Sequence, residues 1–368
     1  MVAMQELYID TPSQLQELCN QIQHSPWLAL DTEFLREKTY AAELCLIQLC
    51  NGELAACIDT LALKELTPLL NIFADPNVVK IFHSGYQDLE IFHQNWGQLP
   101  TSLFDTQTAA ALLGIGEHIG YANLVEQLLG QELEKGHTRT DWSQRPLHKA
   151  QLRYALDDVI YLEKIYVILK KQLQERQRHT WMEEEIEKLS DPSNYVNPPN
   201  QMWKRIRGLH RTKGLNRAVL QALAAWREVK AERANRPRRW IVKDEVLLEL
   251  ARRQPDDLTS LQGIRGLEPG SIKHCGDELL KLIADNKNVP KSQWPISKAR
   301  PAQLSSEQAK TADHLLEYVH QVAQEEEIPL ALLINRRDLE RLVTGDRELP
   351  ILNGWRRTLV GERVLEQL

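Results

Sequence analysis

Long hydrophobic runs are missing from this chain of 368 residues. No uninterrupted apolar stretch approaches the roughly 18–20 residues needed to span a bilayer, so no membrane segment is expected. The opening MVAMQELYIDTPSQL lacks the basic start and apolar core of a secretory signal. Cysteine is scarce: Cys19, Cys45, Cys50, Cys57 and Cys275 are odd in number and form no C-x-x-C pair. That pattern argues against a disulfide framework or a cysteine-built zinc site, and makes a reducing cytoplasm the expected compartment.

What is present is ordinary for a globular protein, with 42% hydrophobic and 26% charged residues. The length exceeds one ordinary core at about 100–200 residues per domain, so two or three domains are expected. Charge is unevenly spread beneath the net value of -6. Residues 1–190 carry 15 Lys+Arg against 27 Asp+Glu, a net of -12, whereas residues 191–240 carry 12 against 3, a net of +9. A compact basic stretch beside an acidic block suits a polyanionic partner. An Arg-rich, solvated helical surface accounts for it equally well.

From residue 27 onward WLALDTEF, ELCLIQLC and ELAACIDT read as three short strands, with the turn signal Asn51-Gly52 between the last two. A helical stretch through Leu66, Leu69, Leu70 and Phe73 follows, then the strand NVVKIFH, a turn into a helix at SGYQDLEIFHQNW, and the strand TSLFDT. Beyond residue 106 the pattern is helical. Three meandering strands followed by helix–strand alternation predict a mixed sheet flanked by helices. Two stretches rich in Pro, Asn and Ser, around 191–201 and 286–306, read as linkers. The helical blocks after each are related by a shift of 92 positions, which superposes Leu223 on Leu315, Trp226 on Tyr318, Pro237 on Pro329, Leu247 on Leu339 and Leu250 on Leu342. A degenerate repeat of a small helical module is the economical reading.

The chemistry-bearing residues begin in LALDTEF. On a strand, the side-chain period of two sends Asp31 and Glu33 to one face, where like charges repel. In KIFHSGYQDLEIF, Asp88 enters a helix, where the dipole alone also explains a carboxylate. His83 there reads as a satisfied strand-end histidine, and Asp105 in FDTQT as structural or as a support behind the site carboxylates. In LRYALDDVIYLEKIY, Tyr154 and Asp158 share a helical stripe, while Arg153, Asp157 and Lys164 occupy a neighbouring charged face. Asp157 therefore reads as a salt-bridged surface residue. Asp158, beside Tyr154 and apolar neighbours, does not.

The motifs DTEF, HSGYQDLEIF and YALDD, in this order, resemble the three motifs of the DEDD superfamily of 3′→5′ exonucleases. A tyrosine four residues before the last aspartate marks the DEDDy branch, and KGHTRTDWSQRPL (135–147) is similar to the ribonuclease D group within it. LQALAAWREVKAERANRPRRWIVKDEVLLELA resembles an HRDC domain (helicase and RNase D C-terminal). The resemblance implies an α/β, RNase H-like catalytic domain with a mixed sheet flanked by helices, followed by two small all-α HRDC domains. Its boundaries would be 1–190 for the exonuclease, 191–205 for a linker, 206–288 for the first HRDC domain, 289–306 for a second linker and 307–368 for a diverged second HRDC domain.

The resemblance also implies a site. Asp31, Glu33, Asp88 and Asp158 would hold two divalent metal ions, Mg²⁺ or Mn²⁺, with Asp31 bridging both, and Tyr154 would orient water. An unperturbed tyrosine near pKa 10 is a poor base at neutral pH, which favours orientation over proton abstraction; core packing is the alternative for its ring. Phe34 and Tyr40 could stack on terminal bases, Lys135, Arg139 and Arg145 could meet phosphates, and Trp142 could pack beneath them. Core packing explains Phe34 and Trp142 as well. Lys204, Arg205, Arg207, Arg211, Lys213, Arg236, Arg238 and Arg239 form the basic patch that offsets the acidic catalytic block. The implied partner is RNA, namely tRNA precursors and other structured small RNAs, with no membrane and no obligate protein partner, the chain acting as a monomer. A DNA exonuclease and a non-catalytic nucleic-acid-binding protein are the competing readings.

Overall fold

The computed structural model describes residues 4–133, 140–296 and 304–368. The chain divides into two compact units, one made of Met1–Leu35, Leu44–Tyr195 and Pro301–Leu368, the other of Arg36–Glu43 and Val196–Arg300.

The first unit is built on a six-stranded sheet of order β1-β4-β3-β2-β5-β6, comprising β1 (Gln5–Ile9), β2 (Trp27–Leu35), β3 (Glu43–Cys50), β4 (Leu54–Asp59), β5 (Val79–Phe82) and β6 (Leu103–Asp105). β3 and β4 pair antiparallel across the Asn51-Gly52 turn, where Gly52 has φ +92, a conformation that favours glycine. β5 runs parallel to both β2 and β6, so the sheet is mixed as expected. β1, parallel to β4, is an addition the sequence pattern did not announce. It is an edge strand exposed along much of its length and therefore carries no alternating apolar signature.

Helices α1 (Pro12–Ile22), α2 (Thr67–Phe73), α3 (Tyr86–Trp96), α4 (Thr106–Leu112) and α5 (Tyr121–Leu129) flank the sheet. α6 (Lys149–Glu175) buries Ala155, Leu156, Val159, Leu162 and Ile165 in one core with Ala29, Cys45 and Ile81 of the sheet. α7 (His179–Leu189) follows it.

The second unit contains α8 (Gly214–Arg233), α9 (Arg238–Ile241), α10 (Asp244–Arg253), α11 (Leu258–Gln262) and α12 (Pro269–Lys287). Its own core joins Trp203, Leu220, Leu223, Leu247, Leu250, Leu261 and Leu279.

The C-terminal helices α13 (Ser306–Glu325), α14 (Leu330–Leu333) and α15 (Arg336–Val343) start 92 positions after α8, α9 and α10. Here the linkers mislead. Rather than closing on a core of their own, these helices share the core of the catalytic sheet, with Leu315, Val319, Leu339 and Trp355 in the same cluster as α6. Trp355 stacks on Trp181 of α7 with centroids 4.3 Å apart, and Arg178 donates to the Leu112 carbonyl and to Glu326. Among the described residues no helix is long and apolar enough to cross a membrane.

Candidate active site

The first unit gathers most of the expected residues into one place. β2 carries Asp31 and Glu33 to the same face, and α6 brings Asp158 onto them. A carboxylate oxygen from each of the three lies within 4.8 Å of the others. Asp88 is not one of that triple. Its Oδ1 accepts a 2.5 Å hydrogen bond from the hydroxyl of Thr32, the residue between the two strand carboxylates. It nevertheless acts on them electrostatically, since its charge is among the causes that raise Asp31 and Glu33.

Local sequence explains these placements. The α3 N-terminus needs Gly85, because a Cβ there would stand 2.5 Å from the Phe82 Cβ, and the Gly85 N–H donates to Asp105. Asp105 also caps α4 through the Thr108 N–H at 2.8 Å, a structural role in keeping with its reading. The α6 start is fixed by the His148 N–H donating to Gln151 Oε1 at 2.7 Å. Asp157, one residue from the site, instead pairs with Arg153 at 2.8 Å.

Electrostatics match the crowding. Burial, then the neighbouring carboxylates, push Asp31 well above the carboxylate range and Glu33 up to about 9. Burial likewise lifts Asp88 and Asp158 to about 7. Burial and the charge of Asp158 hold the Tyr154 phenol above its ordinary value while its hydroxyl donates to Asp158, so it stays protonated across the neutral range. A group so placed can orient a water but cannot remove its proton near pH 7.

A cavity of about 190 Å³ opens onto Asp31, His83, Tyr121, Tyr154, Asp158 and Leu162. Sequence reading gave His83 and Tyr121 no part in it. The His83 Nδ1 lies 3.0 Å from the Thr106 hydroxyl, and its Nε2 is buried without a well-formed hydrogen bond among the described residues. Tyr121 donates to the Asp157 carbonyl at 2.9 Å and stands edge-on to His83. No motif marks Tyr121. Thr32 was hidden by the alternation that revealed its neighbours, which sends it to the opposite face.

The donor set answers whether a metal fits. A cation would relieve carboxylates whose ionisation is opposed by burial and by one another, and hard divalent ions prefer such oxygen ligands. The residues fit, and an exonuclease fold of the DEDD type implies use of a divalent metal.

The expected substrate contacts divide sharply. Arg145 is not free for phosphate: its guanidinium pairs with Asp59 at 2.6 and 2.8 Å and also donates to the Cys45 and Trp142 carbonyls. Trp142 is core, 4% exposed, with its ring 6.2 Å from that of Tyr154. Phe34 is half-buried. Tyr40 belongs to the second unit, where its hydroxyl donates to Glu228 at 2.5 Å and Arg238 covers its ring, so stacking on a base is closed to it there. Arg238 pairs with Glu228, and Arg205 donates to Asn197 at 2.7 Å. Arg207, Arg211, Lys213 and Arg239 are exposed. Lys135 and Arg139 lie outside the described residues.

Comparison with known proteins places this geometry in context. A family model described as 3′-5′ exonuclease matches residues 7–174, and one described as HRDC domain matches residues 216–283. The chain is 39% identical to the ribonuclease D of Zymomonas mobilis, over 95% of this chain and 91% of that one. It is 40% identical to that of Sphingobium indicum, over 93% and 89%. The crystal structure of Escherichia coli RNase D, an exoribonuclease involved in structured RNA processing, superposes with a TM-score of 0.88 at 31% identity, covering 99% of both chains.

Proposed function

The chain belongs to the ribonuclease D family of 3′→5′ exoribonucleases, and on that premise we propose that it trims the 3′ ends of structured RNA precursors, tRNA precursors foremost, releasing 5′-mononucleotides. The observation that carries this reading is the meeting of Asp31, Glu33 and Asp158 oxygens within 4.8 Å, beside a tyrosine hydroxyl bonded to one of them. It acts as a monomer in the cytoplasm.

In this reading Asp31, Glu33 and Asp158 would hold two divalent ions, Mg²⁺ or Mn²⁺, with Asp88 supporting them from its Thr32 bond. Such ions would compensate the charge of the phosphodiester and lower the pKa of water so that hydroxide is available near neutral pH. Tyr154 orients the attacking water from its bond to Asp158. Phe34 contacts the terminal nucleotide, and Lys135 and Arg139 meet phosphates. Arg207, Arg211, Lys213 and Arg239 hold the body of the RNA, and the 307–368 helices are a diverged second HRDC domain.

The test is nucleotide release from a 3′-labelled precursor tRNA by the full chain. The expected result is stepwise release of mononucleotides with Mg²⁺ or Mn²⁺ and none with EDTA. Internal cleavage, EDTA-resistant release or preference for DNA of the same sequence would overturn it.

A further inference from the structure

Trp240 is 61% exposed, an unusual position for a large aromatic side chain. It is held on a rigid turn rather than a loose loop. Its backbone N–H donates to the Pro237 carbonyl at 2.8 Å and the Val242 N–H to that of Arg238. On one side Arg238 is fixed by its pair with Glu228, and on the other Val242 is buried. The ring is therefore presented outward by a well-anchored backbone.

Charge around it is of one sign. Arg236, Arg239 and Lys243 flank Trp240 in the chain and are exposed, and none takes part in an ion pair among the described residues. Other cations of the unit behave differently: the buried Arg227 pairs with Asp244 at 2.7 Å, and the partly exposed Lys230 with Glu278 at 2.9 Å. The repeat supplies a control. At the same turn, 92 positions on, Arg236, Arg238, Arg239 and Trp240 become Ile328, Leu330, Ala331 and Leu332. There Ile328 is 6% exposed, Leu332 packs on the shared core, and Arg356 donates to the Leu332 carbonyl. One copy of the turn is thus apolar and packs on protein through Ile328 and Leu332. The other is cationic and aromatic, and open.

We propose that Trp240 is a stacking platform for an unpaired base of RNA, with Arg236, Arg239 and Lys243 taking the phosphates on either side. Every base offers a π-face, so an aromatic ring among cations suits single-stranded nucleic acid without fixing its sequence. An apolar peptide would not select three unpaired cations around a single ring. The assignment rests on the reading that the chain acts on RNA through its middle block, and it names the side chain that reads a base.

The experiment is binding of fluorescein-labelled single-stranded RNA by the full chain in EDTA, followed by anisotropy across a salt series. A second probe of equal length carries abasic sites. Trp240→Ala weakens binding of the intact RNA by about 5- to 100-fold, the range of a lost base–aromatic stack, and leaves the abasic probe unaffected. Its salt slope stays that of the parent, and Trp240→Tyr recovers most of the loss. Arg239→Gln and Lys243→Gln instead lower the slope by about 0.7 each, as expected for one phosphate contact on a single strand. Parental binding by Trp240→Ala, with Arg207→Gln and Arg211→Gln still weakening, overturns the platform and leaves RNA binding by the block intact. If none of these variants matters, both readings fall. An equal loss on intact and abasic RNA assigns Trp240 a structural role and overturns the platform.

Discussion

The two helical repeats follow one backbone path and reach opposite ends. α8–α10 and α13–α15 keep their spacing, their leading prolines Pro237 and Pro329, and the left-handed residue before each, Asn235 at φ 44 and Glu327 at φ 54. The first repeat goes on to α11 and α12, whose Leu261, Leu279 and Ile283 complete a core. The second buries its leucines with α6 and α7 instead. A module this small cannot bury enough apolar surface by itself. The first block joins α11 and α12 in a separate core. The second shares the core of the catalytic unit.

The sharpest separation between the units is chemical. Asp31→Asn or Asp158→Asn should abolish nucleotide release from every RNA, long or short, because the carboxylates proposed to hold the metal all lie in the first unit. Asp157→Asn, which removes the charge paired with Arg153 and none of the three clustered carboxylates, should leave release intact. Substantial turnover by purified Asp31→Asn in Mn²⁺ refutes the site. Tyr154→Phe ranks next, since it removes one hydroxyl and keeps the ring. Turnover should fall by about 10²–10⁴-fold, with RNA affinity little changed. Near-parental turnover means the ring serves packing alone.

The third test sets the repeats directly against each other. Leu223 and Leu315 occupy equivalent positions, and both are fully buried. Truncating either to alanine should cost about 2–5 kcal/mol. Leu315→Ala should lower the melting temperature of the catalytic unit and carry nucleotide release down with it on heating. Leu223→Ala should leave heat-inactivation on a short RNA where it was. Identical inactivation curves for the two variants break the comparison.

The smallest effect is in pH. In the metal-free chain Asp88 and Asp158 titrate at about 7 and Glu33 at about 9, all above their unfolded values near 4. Between those limits the native state holds protons that the unfolded chain has released, so stability falls as pH rises. The melting temperature in EDTA should therefore drop between pH 5 and pH 8. Added Mn²⁺ should restore it, most strongly at the upper end, while Asp31→Asn should flatten the trend. A pH-independent melting temperature in EDTA contradicts the uncompensated cluster.

Legibility in the sequence followed the range of the interaction. β2, β3, β4 and β5 were readable because their burial is written in consecutive residues, and the Asp31–Glu33 and Tyr154–Asp158 pairs because strand and helix periods fix a shared face. β1, half exposed at an edge, left no such trace. The substrate side chains misled for another reason. Arg145 answers Asp59, 86 positions away, and Tyr40 answers Glu228, 188 positions away, so nothing near either residue announces that its polar atoms are already engaged. The linker at 286–306 was visible as composition, but where the helices after it bury their leucines is decided by partners on α6 and α7.

Tyr40 has a bearing on how this architecture can be inherited. The carboxylate it meets, Glu228, is only 1% exposed, and Asn235 accepts from the Tyr40 and Ala41 amides. The run Arg36–Glu43, drawn from the catalytic hairpin, thus completes the middle unit. A recombination event that moved residues 196–300 into another protein would leave that run behind, and with it one of the two partners of a buried acid. The middle unit and the hairpin are therefore expected to travel through descent together, and exchanges of the block among relatives should succeed only when the Tyr40 segment goes with it.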